Sequence, residues 1–338
     1  EYEMVMFREK PSKQMIVNKV RTQPRSSYIT FMAPSAQIDS LWVKGIPANR
    51  LITQFNIQKD SLEIWVNDRK RMPDTLHLFV DYMKTDTTGK LVPFTEHVRL
   101  AMEKAGSKSK SSRRDIKHED TTCVMKVTAE PENIEQYGFQ IEFNYPIIYE
   151  NFDSLKLISI NPRQQESKMK FSVVRDTLNL RKYTLTPEGK LMTGYEYKLK
   201  FPHRKFRDIN GFYNDSTEVK VSLPKDDKLS TLILDMTNVN HKYIIDLLNE
   251  KRDKVLRSYI IEKDAKLTFP YLKEGKYSVR MTEDKNKNGM VDTGNLLEHR
   301  QPEKVIFYKL KDGSYILNIK EATEVEQRLD IAKLFGEN

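Results

Sequence analysis

At 338 residues the chain is long enough for two or three domains, each with its own core. Apolar residues make up 38% and charged residues 31%, and no run approaches the roughly 18 apolar residues that a membrane-spanning helix needs. The formal charge of +9 is scattered as lysines through nearly every polar segment, with no nucleic-acid motif beside it, so nucleic acid is not an expected partner.

Strand signals lead from the start. Residues 27–32, 61–66 and 75–82 alternate apolar with polar side chains, as a strand with one wet face does. Segment 104–122 is small, polar and charged, too poor in apolar area to pack, and is expected to be a flexible linker. Limited proteolysis should therefore nick first between Lys104 and Glu119, where basic sites lack an apolar anchor; early cleavage elsewhere would show this stretch to be packed. Beyond it, residues 138–143, 195–201 and 230–234 alternate again. Near the end, Ala322, Val325, Leu329, Ala332 and Leu334 fit a short helix within 321–335.

The segments on either side of the linker share landmarks in one order. Ile29-Thr30-Phe31-Met32-Ala33-Pro34 matches Ile141-Glu142-Phe143-Asn144-Tyr145-Pro146, and Asp39-Ser40-Leu41 matches Asp153-Ser154-Leu155. Asp86-Thr87-Thr88-Gly89 precedes Leu100 by eleven residues, and Asp208-Ile209-Asn210-Gly211 precedes Leu223 by twelve. The fold expected is all-β: tandem Ig-like β-sandwich domains with a short C-terminal helix. The boundaries expected are a sandwich at 1–103, the linker at 104–122, an Ig-like sandwich at 123–224, a smaller sandwich at 225–320, and a tail or helix at 321–338.

Chemistry-bearing motifs are sparse. The single cysteine, Cys123, excludes an intrachain disulfide, and at the head of a strand-like run it is expected to be buried and inert. The six histidines show no i, i+4 pairing for zinc, and His77 reads as a sheet-surface residue. No nucleophile elbow, phosphate loop or H-E-x-x-H is present, so no catalytic residue is assigned. Aromatics such as Trp42, Trp65, Tyr195 and Tyr197 could make a sugar platform, but their alternating positions are explained first by packing. The apolar run Tyr145-Pro146-Ile147-Ile148-Tyr149 is a mild candidate for an interaction surface.

One loop stands apart. Asp284, Asn286 and Asn288 place side-chain oxygens at alternate positions, Gly289 allows a sharp turn, and Asp292 follows at the ninth position. With Asn295 where a calcium loop has a bidentate glutamate, the expected metal site is a weak calcium loop at most. Its ligands would be Asp284, Asn286, Asn288 and Asp292, with the Met290 carbonyl as a fifth oxygen. The competing reading, preferred here, is a turn closed by side-chain-to-backbone hydrogen bonds, with no cofactor.

The run Leu272–Arg280, the loop 283–294 and Gln301-Pro302-Glu303-Lys304-Val305 together resemble the Bacteroidota Ig-like lipoproteins, which carry S-layer-type bacterial Ig-like domains. The stretch from Lys10-Pro11 through Asp60–Trp65 to Asp74-Thr75-Leu76 is similar too, as is Leu180–Leu185 with Asp208–Gly211. The chain departs from the family at Met290-Val291, where a basic residue and tryptophan are usual. The resemblance implies the C-terminal portion of an outer-membrane-anchored lipoprotein of the cell envelope, periplasmic or surface-exposed. Membrane contact would come only through an N-terminal lipid anchor outside this chain, which begins at Glu1 and is expected to be processed or truncated. The expected function is a non-catalytic structural or interaction module that binds protein or glycan through sandwich edges and loops. The alternative is a glycan-active enzyme using dispersed carboxylates.

Overall fold

The computed structural model describes residues 11–68, 70–102, 122–131, 133–225, 228–294 and 299–336. Segment 104–121 of the expected linker, with its proteolytic sites, lies outside the described residues, as does Asn295.

The chain is all-β, and its buried apolar side chains gather into three separate cores. The first sandwich comprises β1 (Ile16–Gln23), β2 (Ser26–Phe31), β3 (Ile38–Val43), β4 (Leu51–Phe55), β5 (Ser61–Val66), β6 (Thr75–Thr85) and β7 (Leu91–Ala101). One sheet runs β1-β2-β5-β4 and the other β3-β6-β7, all pairs antiparallel. This is the constant-type Ig order, four strands facing three. Alternation sets which side chains enter: along β6, Leu76, Leu78, Val80 and Tyr82 are buried in turn.

The second sandwich holds β8 (Met125–Thr128), helix α1 (Ile134–Tyr137), β9 (Phe139–Phe143), β10 (Ile147–Glu150), β11 (Lys156–Ile160), β12 (Glu166–Met169), β13 (Phe171–Arg175), β14 (Lys182–Pro187), β15 (Glu196–Phe201), β16 (Phe206–Asp208) and β17 (Thr217–Ser222). Its sheets are β8-β9-β14-β13 and β12-β11-β15-β17, with a small β10-β16 pair. The strand order matches the first sandwich, with β12 added at the free edge of β11. The landmarks fall at corresponding places. Phe31 and Phe143 end the second strand of their sheets, and Asp39–Leu41 lies in β3 while Asp153–Leu155 leads straight into β11. Asp86–Gly89 and Asp208–Gly211 both lie between the last two strands of the other sheet. Both aspartates act alike: Asp86 Oδ1 accepts from the Thr88 and Lys90 amides, and Asp208 Oδ1 from that of Phe212.

The third sandwich is built from β18 (Ser230–Thr237), β19 (Tyr243–Asn249), β20 (Val255–Ile261), β21 (Ala265–Leu272), β22 (Gly275–Glu283), β23 (Val305–Phe307), β24 (Leu317–Ile319) and β25 (Glu324–Asp330). Here the structure corrects the sequence reading of 321–335. Residues 324–330 form a strand, parallel to β18 from Thr231↔Glu324 to Thr237↔Asp330, and only Ile331–Leu334 (α2) is helical. The physical reason is the exposed edge of β18, whose backbone groups need a partner. Pairing there buries Leu329 and carries Ile331 and Phe335 into the third core. The Asp330 side chain then caps α2 by accepting from the Lys333 amide at 3.1 Å.

Polar contacts tie the sandwiches together. Between first and second, Arg25 donates to the Asn210 carbonyl, Gln54 bonds the backbone of Leu178 and Leu180, and Arg181 pairs with Glu63 at 3.4 Å. The Arg181 guanidinium also lies over Trp65, which explains why that outward-facing ring is buried. Between second and third, the Ser258 amide donates to the Tyr137 hydroxyl, Gln136 donates to the Ser258 carbonyl, and Lys254 pairs with Glu130 at 3.0 Å. Asp246, facing this junction, is held by Arg280 and the Ser258 hydroxyl.

Candidate functional site: the acidic loop and the cleft beside it

Loop 284–292 leaves the end of β22, and the structure brings together all four of its candidate ligand side chains, Asp284, Asn286, Asn288 and Asp292, in one hydrogen-bond network. Asp284 is buried; its Oδ1 accepts from the Asn288 amide at 3.0 Å and its Oδ2 from the Gly289 amide at 2.8 Å. Asn286 and Asn288 use their oxygens within the loop, on the Asn288 and Met290 amides, and both donate their Nδ2 to Asp292 Oδ2. Met290 contributes its amide to this network, and its side chain is exposed.

Two residues outside the motif complete the arrangement. Lys242, just before β19, sets its Nζ 3.5 Å from Asp284 Oδ2 and donates to the Lys287 carbonyl at 3.0 Å. A side-chain ammonium thus supplies positive charge beside the buried carboxylate. Glu303 reaches in from the segment before β23 and accepts from the Lys285 amide at 3.0 Å and the Asp292 amide at 2.8 Å. The sequence offered a cue in Pro302-Glu303 just ahead of a strand, but only the folded chain shows its carboxylate tying both ends of the loop. Among the described residues, no three His, Cys, Asp or Glu side chains form a group able to hold a metal ion.

Burial raises the Glu303 carboxyl above its ordinary range; its two amide bonds oppose this, and the charges of Asp292 and Asp284 add to the rise. A carboxyl whose folded pKa is raised binds its proton more readily folded than unfolded. Its contribution to stability therefore declines as pH climbs from the ordinary carboxylate value through the raised one. Replacing Glu303 with Gln should flatten that part of a melting-temperature profile measured against pH, and an unchanged slope would contradict this assignment.

Gly289 has φ +76, a conformation that glycine adopts freely, and an added Cβ would meet only Ile260 Cδ1 at 3.5 Å. Gly289→Ala should therefore cost about 1 kcal/mol through backbone strain rather than collision. Calcium at micromolar concentration should barely move the melting temperature of the parent chain, since stabilisation follows occupancy. A rise of many degrees would make the loop a metal site.

The loop forms one lip of a cleft of about 910 Å³ whose other wall is the first sandwich. Ile57, Leu91, Met290 and Val291 give it exposed apolar surface, and Gln14, Ser35, Gln58 and Asn288 give it polar groups. Asp292 is the one carboxylate among its described lining residues, and both Asn amides hold it.

Elsewhere, Cys123 is buried, which pushes its thiol up to about 12, far from a reactive thiolate. His77 lies on the outward face of β6, with its Nδ1 2.9 Å from His97 Nε2. His97 stacks on Phe79 at 4.6 Å, and Phe79 on Trp42 at 5.3 Å, so ring faces that could meet a sugar are largely turned on each other. In the 145–149 run, residues from Ile147 on belong to β10; Ile147 packs on the second core and Tyr149 remains exposed.

No family model matches the chain, and no curated protein does. Among solved structures, BcpA, the major pilin subunit of Bacillus cereus, is similar at 11% identity over 83% of this chain and 93% of its own, with a TM-score of 0.20. Domains A168–A170 of titin match at 11% identity over 81% and 92%, with a TM-score of 0.19. The Bacteroides ovatus mixed-linkage glucan utilization locus protein SGBP-B, in complex with a heptasaccharide, matches at 10% identity over 96% and 69%, with a TM-score of 0.15. At scores this low, none of these proteins lends its role to the chain.

Proposed function

We propose that the chain is a non-catalytic structural or interaction module of the bacterial cell envelope, contacting protein or glycan partners through sandwich edges, loops and sheet faces. The observation that carries this reading is the placement of the polar groups. The described polar groups that bridge the sandwiches hold them to one another, and the carboxylate lining the cleft beside the acidic loop is tied up by two amides. Glycoside hydrolysis needs two carboxyl groups about 5–10 Å apart across a bound sugar, and the described wall of this cleft offers one. Attachment to the outer membrane as a lipoprotein rests on the resemblance of segments 272–305 to the Bacteroidota Ig-like lipoproteins.

The test is to incubate the 338-residue chain with insoluble envelope polysaccharide, then assay both retention on the solid and sugar released into solution. Retention without release is expected. Released oligosaccharide would overturn the reading in favour of an enzyme.

A further inference from the structure

We infer that the outward face of the β12-β11-β15-β17 sheet binds a linear acidic polysaccharide, an inference that rests on the chain being a binding module. Residues far apart in sequence meet there in register. Tyr197, Leu199 and Phe201 of β15 enter the second core, so Glu196, Lys198 and Lys200 face out. Along one row Lys168 lies opposite Ile158, Ile158 opposite Lys198, and Lys198 opposite Lys220. In the next row Lys156 lies opposite Lys200, which is followed by Glu218.

Like charges directly opposite on neighbouring strands, about 4.8 Å apart, destabilise a sheet. This face has two such pairs, Lys156 with Lys200 and Lys198 with Lys220. Its acids only partly offset them. Glu218 is shared between Lys200 at 3.7 Å and Lys220 at 3.3 Å, and Glu166 lies 3.8 Å from Lys198. Among the described residues no carboxylate comes within ion-pair distance of Lys156 or Lys168. Past β15 the chain continues through Pro202 and His203, the latter 3.7 Å from Asp215, to Arg204 and Lys205.

The chemistry of the face selects the partner class. Ile158 and Ile160 are covered, at 8% and 7% exposure, and offer no apolar side chain to insert into a bilayer. No aromatic ring stands in the lysine rows for bases to stack on, as single-stranded nucleic acid requires. What remains is an array of ammonium groups spaced by the strand repeat, most exposed at its margins and with the central Lys198 side chain 14% exposed. That array suits a polymer with carboxylates at regular intervals, held by charge rather than by a shaped pocket.

The experiment is affinity electrophoresis of the 338-residue chain through polygalacturonate or a neutral β-glucan, with sedimentation on phosphatidylglycerol vesicles alongside. Retardation by polygalacturonate is expected, weakening about tenfold or more in about 1 M salt, where screening shortens to about 3 Å. The Lys156→Gln, Lys168→Gln, Lys220→Gln variant should lose about tenfold or more in affinity while its melting temperature holds or rises, because like-charge repulsion is relieved. The matching Lys→Arg variant should retain binding, separating charge from folding. Equal binding by the Gln variant, or preference for the vesicles, would overturn the inference. Lysine-independent retention on neutral glucan would likewise remove it but leave the module reading intact. Shortening of either polymer would overturn the module reading itself.

Discussion

Replacing Gly138 with Ala should destabilise the second sandwich by about 3 kcal/mol or more, among the largest effects expected of a single methyl group here. Gly138 closes α1 with φ 59 and ψ −152, a combination essentially restricted to glycine. Its amide donates to the Ile134 carbonyl at 2.8 Å, and the next residue, Phe139, pairs with Leu185 of β14. A Cβ at this position would collide with the Leu185 carbonyl oxygen and crowd Thr186 Cα. Both are backbone atoms of a paired strand, so relief requires β14 to part from β9. Gly189 is the control: its φ is +97, yet an added Cβ would meet nothing within 4 Å. Gly189→Ala should cost only the backbone strain, about 1 kcal/mol. Urea unfolding followed by circular dichroism separates the two, and equal losses would show that the collision adds nothing.

The second large effect belongs to Arg21. Its guanidinium is buried within the first sandwich, where Nη1 donates to the carbonyls of Pro73, Asp74 and Leu100, and Nη2 to that of Pro24 at 2.7 Å. One side chain thus joins the turn after β1 to the ends of β6 and β7. Burial lowers the pKa of the group and Asp74 partly restores it, while an arginine stays charged throughout the accessible range. Arg21→Met keeps the bulk but leaves four carbonyls without this donor, and should cost about 3–5 kcal/mol. Arg21→Lys should fall between, since a single ammonium cannot span all four. Trp42 and Trp65 are the chain's two tryptophans, and both lie in the first sandwich, so their fluorescence reports this unfolding directly. A loss under about 1 kcal/mol for Arg21→Met would mean that water replaces the guanidinium without penalty.

Much of the fold was legible because burial alternates with period two. The sequence pattern of 75–82, 138–143 and 195–201 reappears as side chains entering and leaving a core. The C-terminal segment was not legible in the same way. Val325 and Leu329 fit a helical stripe, yet Val325, Gln327 and Leu329 also share one strand face. The choice was made by the edge of β18, some ninety residues earlier. Local periodicity carries no information about such a partner.

The candidate sites divide along the same line. The contiguous loop 284–292 could be picked out by spacing, but Lys242 and Glu303, which supply its positive neighbour and its clamp, come from either side of the motif. The lysine face was hidden more completely. Its members lie on four strands between residues 156 and 220, and each looks in isolation like an ordinary solvated side chain; register alone assembles them.

Lysine acylation footprinting of the 338-residue chain, read by mass spectrometry with and without polygalacturonate, tests the binding face most directly. Lys156, Lys168, Lys198, Lys200 and Lys220 should lose reactivity together, while Lys19 and Lys44 of the first sandwich stay unchanged. Protection concentrated at Lys59 beside the cleft, or spread evenly over all lysines, would contradict it.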